Sequence, residues 1–266
     1  YHPTLEKIRK DYHCEYIFSY INDLDFHAKN TFIRPKRKRE FYPRYHFFRK
    51  ASLVSLHGQF PWAKDPLPYL KVIKCTPHFE DALVYYLIQN SKFNELNSLS
   101  GPDAFYKMLD RMNGLKTSDF WIALDAQDNI IGTLAPWNID SILSLKPTTY
   151  SNFASNFKHF SDVGRFLGWT RPLTSPLQMT FLSFIHCDHP DIFEALLWRV
   201  WRNIPKNHFL IYAYARMNYK YRRPRSWLSV RIPYTLYSIL DSEEKPPHFL
   251  HPSNEHWLEC DPLLIW

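Results

Sequence analysis

Glycine is the scarce residue of this chain, with 6 in 266, and none follows Gly168. Scarce glycine excludes a fold rich in tight turns and leaves little of the backbone that wraps closely around phosphates. No G-x-G-x-x-G, P-loop, G-x-S-x-G or H-E-x-x-H run occurs, so dinucleotide-fold, kinase, serine-hydrolase and zincin readings have no motif. Cysteine is sparse as well. Cys14, Cys75, Cys187 and Cys260 stand far apart without a C-x-x-C pair. That excludes a zinc ribbon or a thioredoxin-type site, leaves no metal site to name, and fits a reduced cytoplasmic setting. No apolar run nears the ~18 residues of a membrane span, and no signal-peptide pattern opens the sequence, so no membrane role is expected. The first residue is Tyr1 rather than Met. The chain therefore reads as a fragment or trimmed form, with any targeting signal upstream.

What is present is apolar and aromatic. The apolar fraction is 45% and the aromatic fraction 17%, enough for a sizeable core and against disorder. The length suits one large domain or one and a half smaller ones. Net charge is +7 and unevenly spread. Residues 34–50 hold eight Lys/Arg and residues 216–231 hold six. These two islands serve an anionic partner or are solvated loops.

The hydrophobic pattern gives the elements. Residues 15–21 and 46–56 read as strands joined by a basic link, with a short helix at 25–33. The Gly58, Pro61, Pro66, Pro68 cluster makes 61–69 a linker. A strand at 70–75 leads into a helix capped by Thr76 with Pro77 at its first position. Its apolar face is Phe79, Ala82, Leu83, Tyr86 and Leu87. A second helix buries Phe105, Met108, Leu109 and Met112, and Gly114 ends it. The run 120–137, FWIALDAQDNIIGTLAPW, is a hairpin of two apolar strands around a polar turn. An insert at 138–176 carries its own helix, with Phe153, Phe157, Phe160, Phe166 and Leu167 on one face: a lid, or a helix packed on the sheet. A strand at 178–186 runs into a helix from Pro190, then strands follow at 208–215 and 229–240. The tail 241–266 ends apolar and is expected to dock. Together this is a mixed α/β (α+β) sheet with helices on both faces. A faint repeat relates 15–56 to 208–240: tyrosine-bearing strand, basic link, strand.

This order, with Gly132–Asn138 (GTLAPWN) and Leu182–Leu197 (LSFIHCDHPDIFEALL), resembles the GNAT (GCN5-related N-acetyltransferase) superfamily. It is most similar to bacterial proteins with tandem GNAT-like units. The resemblance covers residues 70–266; over 1–60 it rests on the repeat, which makes that stretch a partial GNAT-like half. It implies acyl-CoA or acetyl-CoA as donor and a small-molecule amine as acceptor. It also implies that the fourth and fifth strands splay to admit the pantetheine arm. The hairpin's second strand is counted as the fourth. Ser183, Phe184, Ile185 and His186 are then the cofactor-binding stretch, Trp137, Asn138 and Tyr212 the substrate cleft, and Tyr214 the candidate general acid. A tyrosine (~10) suits protonation of a leaving thiolate, whose conjugate acid lies near ~8.5.

One departure is plain. The strand–helix junction at 186–197, where the family places a glycine-rich pyrophosphate loop, has no glycine and carries Asp188, Asp191 and Glu194. A diphosphate needs open N–H donors at a helix start, and carboxylates repel it. The cluster His186–Cys187–Asp188–His189 reads as a nucleophile or metal site, or as a junction capped by Asp188. Three functions stay open: an acyltransferase with altered donor binding, a non-catalytic GNAT-like ligand- or partner-binding module, and a basic nucleic-acid or anion binder. No RNP, zinc-finger or helix-turn-helix pattern supports the last.

Overall fold

The computed structural model describes residues 2–14, 16–35, 43–92, 99–140, 142–147, 152–216, 218–241 and 244–246. The elements run α1 (His2–Tyr12), β1 (Ile17–Asn22), α2 (Phe26–Ala28) with a π-turn at Lys29–Ile33, β2 (Arg44–Gln59) and β3 (Lys71–Lys74). Then come α3 (Glu80–Ser91), α4 (Pro102–Arg111), β4 (Trp121–Leu124), β5 (Ile130–Asn138) and α5 (Asn152–Phe166). The last are β6 (Met179–Cys187), α6 (Pro190–Asn203), β7 (Phe209–Ala215) and β8 (Trp227–Leu240). The expected tail docking, Cys260 and the middle of the first basic island lie outside the described residues.

All eight strands form one mixed sheet, in the order β1-β8-β2-β7-β6-β5-β4-β3. Only β6 and β7 pair in parallel; every other neighbouring pair is antiparallel. The long β2 sits between β7 and β8 and pairs with both. β1 flanks β8 as β7 flanks β2. The two strand–link–strand segments thus interleave symmetrically about the β2–β8 pair.

Alternation sends successive residues to opposite faces. Ile122, Phe181 and Ile211 belong to one core with Leu83, Leu87 and Phe105 of α3 and α4. Ala123, Leu182 and Tyr212 belong to a second core with Phe193, Leu196 and Val200 of α6. Gly132 lets α6 approach the sheet: a Cβ there would meet Ile192 Cγ2 at 2.7 Å.

Several expectations need correction. Counted from β3, the hairpin's second strand is the third, not the fourth; the fourth is β6. Thr76 is extended but makes no side-chain cap bond, and Pro77 opens a 3-10 turn (Pro77–Phe79) before α3. The buried face of α3 includes Val84 rather than Ala82, which is exposed. α5 does not bury its phenylalanines: Phe160, Phe166 and Leu167 are exposed, and Phe157 is half-buried against His57. Phe153 lies outside the described side chains. The buried positions of α5 are Ser161 and Gly164, because Thr170 packs there; a Cβ on Gly164 would sit 2.8 Å from Thr170 Cγ2. The stretch at 61–69 is held in place. Ala63 and Leu67 pack on the α6-side core, and Asp65 lies 3.7 Å from the Arg199 guanidinium.

Candidate functional site

The site is a gap between two parallel strands. β6 and β7 pair only from Met179↔Phe209 to Phe181↔Ile211. Beyond that, β6 stays with β5 as far as Cys187↔Gly132, while β7 stays with β2 as far as Ala215↔Ala51. Two halves of the sheet therefore diverge toward the strands' C-terminal ends. A bulge marks the start. Between Ala135↔Ser183 and Thr133↔His186, β6 has one residue more than β5. The extra residue forces Phe184 to φ +52°, a left-handed backbone that costs a bulky side chain on the order of 1–3 kcal/mol. Phe184 packs against Phe120 and Phe105, at 5.1 and 5.7 Å between ring centroids. Its ring packs toward Phe120, just before β4, and Phe105 of α4.

At the mouth, β6 turns into α6. Five N–H groups of this turn are used internally. Cys187 N–H donates to the Tyr221 hydroxyl (3.2 Å) and Asp188 N–H to the Ile131 carbonyl (3.2 Å). Pro190 has no N–H. Asp191 N–H donates to His189 Nδ1 (3.3 Å), and Ile192 and Phe193 N–H both donate to the His189 carbonyl (3.2 and 3.3 Å). The cap is thus His189, not Asp188: its backbone is extended (φ −140°, ψ 148°) and its ring reaches back over the first turn. Glu194 is half-buried, accepts from Ser226 Oγ at 2.8 Å, and is raised chiefly by burial.

Tyr221 belongs to the second basic island. It ends a 3-10 turn (Tyr219–Tyr221) capped by Asn218, packs edge-on to Phe193 at 5.5 Å, and holds that turn against the end of β6.

The cysteine in the junction is not an activated nucleophile. Cys187 is fully buried, and burial and Asp188 push its thiol far up, leaving negligible thiolate. His186 is buried on the opposite side of the strand from Cys187. Among the described residues no group of three metal-ligating side chains forms.

The other singled-out residues divide. Ser183, Phe184, Ile185 and His186 all lie on β6 where it leaves β7. Tyr212 and Tyr214 lie on the diverging part of β7, on the α6 face, 6.1 Å apart between ring centroids. Tyr212 is wholly enclosed, its hydroxyl has no hydrogen-bond partner among the described residues, and burial raises its pKa well above that of a usual phenol. Trp137 is packed in the α3–α4 core and donates from Nε1 to the Asn113 carbonyl at 3.0 Å. It pairs with Phe181, at the closed end of the gap, on the face opposite Tyr212. Asn138 is exposed there and accepts from Asp140 N–H at 2.9 Å. Ile185 thus packs on the α6 side with Tyr212 and Tyr214, whereas Phe184 and Trp137 lie in the α3–α4 core on the other face and Asn138 is exposed.

Three features escaped the sequence. Tyr221 is one tyrosine among 17, and nothing local marks it. Thr180 Oγ1, His208 and Asp140 form a line, with Oγ1···Nδ1 3.1 Å and Nε2···Oδ2 3.2 Å. It ties the insert to the sheet, and Thr180 is too buried to act as a nucleophile. His57 is buried between Phe209 and Phe157, with ring centroids 4.6 and 4.8 Å away.

No known family profile matches the chain, and no curated protein matches it significantly. Among solved structures it is similar to a GCN5-related N-acetyltransferase from Sphaerobacter thermophilus, with 9% identity, 88% of this chain and 64% of that one covered, and a TM-score of 0.46. It is also similar to a GCN5-related N-acetyltransferase from Anabaena variabilis ATCC 29413, with 8% identity, 88% and 48% covered, and a TM-score of 0.38. This chain spans less than two thirds of the length of either.

Proposed function

We propose that this chain is a GNAT-type module whose β6–β7 gap takes the pantetheine arm of an acyl-CoA, with residues 1–60 as part of a second such unit. One observation carries the reading: a parallel strand pair whose ladder stops at Phe181/Ile211, just before a bulge held at positive φ. Such a gap offers edge backbone groups to an extended, amide-bearing chain. In the reaction, an amine attacks the thioester carbonyl, the C–S bond breaks, and the leaving thiolate takes a proton. Tyr214, on the diverging part of β7, is the candidate donor of that proton. The helix start beside the gap is a poor diphosphate cradle, because five N–H groups around it are used and Asp188, Asp191 and Glu194 stand beside them. Acetyl-CoA is accordingly expected to raise the melting temperature at millimolar concentration, with calorimetric affinity weaker than micromolar. No response to any acyl-CoA overturns the gap as a donor site; micromolar affinity overturns the missing cradle.

A second reading has its own support. The enclosed Tyr212 and the seated Tyr221 favour a module that binds without turning over. Thiol release from acetyl-CoA with an amine panel separates the two, with Tyr214→Phe as control. Binding without thiol release selects the non-catalytic module.

A further inference from the structure

We infer that the Tyr212 hydroxyl recognises the ligand in the β6–β7 gap, donating a hydrogen bond to a carbonyl of its extended arm. The inference rests on the acyl-CoA reading of the gap and adds the side chain that positions the arm.

Tyr212 is the first residue of β7 past the last rung of the parallel ladder, Phe181↔Ile211. Its side chain lies on the α6 face with Val54, Leu182 and Phe193. The ring leans across the gap. α6 stands over β5, where a Cβ on Gly132 would meet Ile192 Cγ2 at 2.7 Å and Leu196 Cδ1 at 3.3 Å. β6 separates β5 from β7 in the sheet. A contact from β7 to Phe193, the residue after Ile192, therefore spans the gap. Tyr212 makes that contact, with ring centroids 5.3 Å apart and the planes at 74°. Tyr221, whose hydroxyl accepts from Cys187 N–H at the end of β6, meets the same Phe193 ring at 5.5 Å. Three rings thus roof the gap on the α6 face: one rooted in β7, one in α6 and one held to β6.

The hydroxyl in that roof is unused. Tyr212 is 0% exposed, and its oxygen has no hydrogen-bond partner among the described residues. Packing alone does not call for it. The neighbours Val54, Leu182 and Phe193 are apolar, and phenylalanine would fill the same place without enclosing an orphan polar atom. Burial keeps the phenol protonated, so it acts as a donor. Beside it, the backbone of β7 no longer pairs with β6, which leaves that edge to an extended chain. The arm of an acyl-CoA carries amide carbonyls and a thioester carbonyl along its length. A fixed donor at the start of the gap gives such an arm a register. Tyr214, two residues further along the same face, stays the candidate proton donor.

The test is calorimetric titration of the full chain with acetyl-CoA and with S-acetylpantetheine, which keeps the arm and lacks the nucleotide. Tyr212→Phe and Tyr214→Phe are compared with wild type, and urea unfolding is measured on all three. Expected in Tyr212→Phe is an about three- to tenfold loss of affinity for both probes, the worth of one neutral hydrogen bond. Its urea midpoint should equal or exceed that of wild type, because the hydroxyl removed has no partner in the free protein. Tyr214→Phe should keep both affinities. Equal affinities in wild type and Tyr212→Phe overturn the inference and keep the gap as the donor site. A lower urea midpoint in Tyr212→Phe reveals a partner in the free protein and also overturns it. The same loss of affinity in Tyr214→Phe overturns the assignment to Tyr212 alone. Binding of neither probe to wild type overturns the gap reading and the inference with it.

Discussion

His57 should set the acid limit of this fold. Its ring lies buried between Phe209 and Phe157, with Nε2 2.8 Å from Ser55 Oγ and Nδ1 enclosed without a partner. Burial lowers its pKa to about 3. The folded chain therefore stays neutral at His57 while an unfolded chain protonates near ~6.5. Between these values the unfolded state binds more protons, so stability is full above about pH 6.5 and falls as pH drops toward 3. From pH 7 to pH 4.5 the loss from this one group is about 3 kcal/mol, at about 1.4 kcal/mol per pH unit below the unfolded pKa. That is a large share of the ~5–15 kcal/mol a domain of this kind possesses. Glu194 works the other way, since its raised pKa stabilises the folded form as pH falls toward it.

The assay is urea unfolding at pH 7 and pH 4.5 for wild type and His57→Phe. Phenylalanine keeps the stacking and cannot protonate. Its neutral-pH stability falls through loss of the Ser55 contact, but the difference between the two pH values should shrink by about 3 kcal/mol. Glu194 and His46 are present in both proteins and cancel. An equal acid loss in wild type and variant refutes the reasoning.

Two further outcomes are expected. Gly58→Ala places a Cβ 2.0 Å from the Trp169 carbonyl and breaks the Gln59–Trp169 and Arg171–His57 backbone bonds (3.0 and 2.8 Å). It should cost about 3–5 kcal/mol in urea unfolding, whereas Gly101→Ala, with nothing within 4 Å, should stay within about 1 kcal/mol of wild type. Trp137→Phe loses the Nε1 bond to Asn113 and should destabilise by about 1–3 kcal/mol while leaving the acetyl-CoA thermal shift unchanged. A lost shift in a folded variant would return Trp137 to the ligand site.

Local features were legible in the sequence. The hairpin, the β6–α6 junction and the amphipathic helices follow from period and punctuation. β4 and β5 fall where the two apolar runs and the polar turn at Gln127–Asn129 place them, with Asp125 accepting from Gln127 and Asn129 N–H. What was not legible depends on pairing at a distance. No local pattern says that β2 enters between β7 and β8, some 170 residues later in the chain. Nor does it say that Trp137 pairs with Phe181 and Phe181 with Ile211, which sends Tyr212 to the other face. The bulge at Phe184 shifts the phase again within one strand. For α5 the apolar stripe left a lid and a packed helix open; among its described side chains Ser161 and Gly164 are buried, next to Thr170, while Phe160 and Phe166 stay exposed.

The gap is costly, and the cost bears on what it is for. Separating β6 from β7 gives up ladder bonds worth about 0.5–1.5 kcal/mol each, and positive φ at Phe184 adds about 1–3 kcal/mol more. A sheet needing only stability would continue the parallel ladder past Phe181, since both strands run on for several residues. Cys187 N–H, at the end of β6, is met by the Tyr221 hydroxyl. Strain at the bulge and divergence of the strands fall together on β6 between Phe181 and Cys187. A packed core gains nothing from that alignment. A ligand with an extended polar arm would use both.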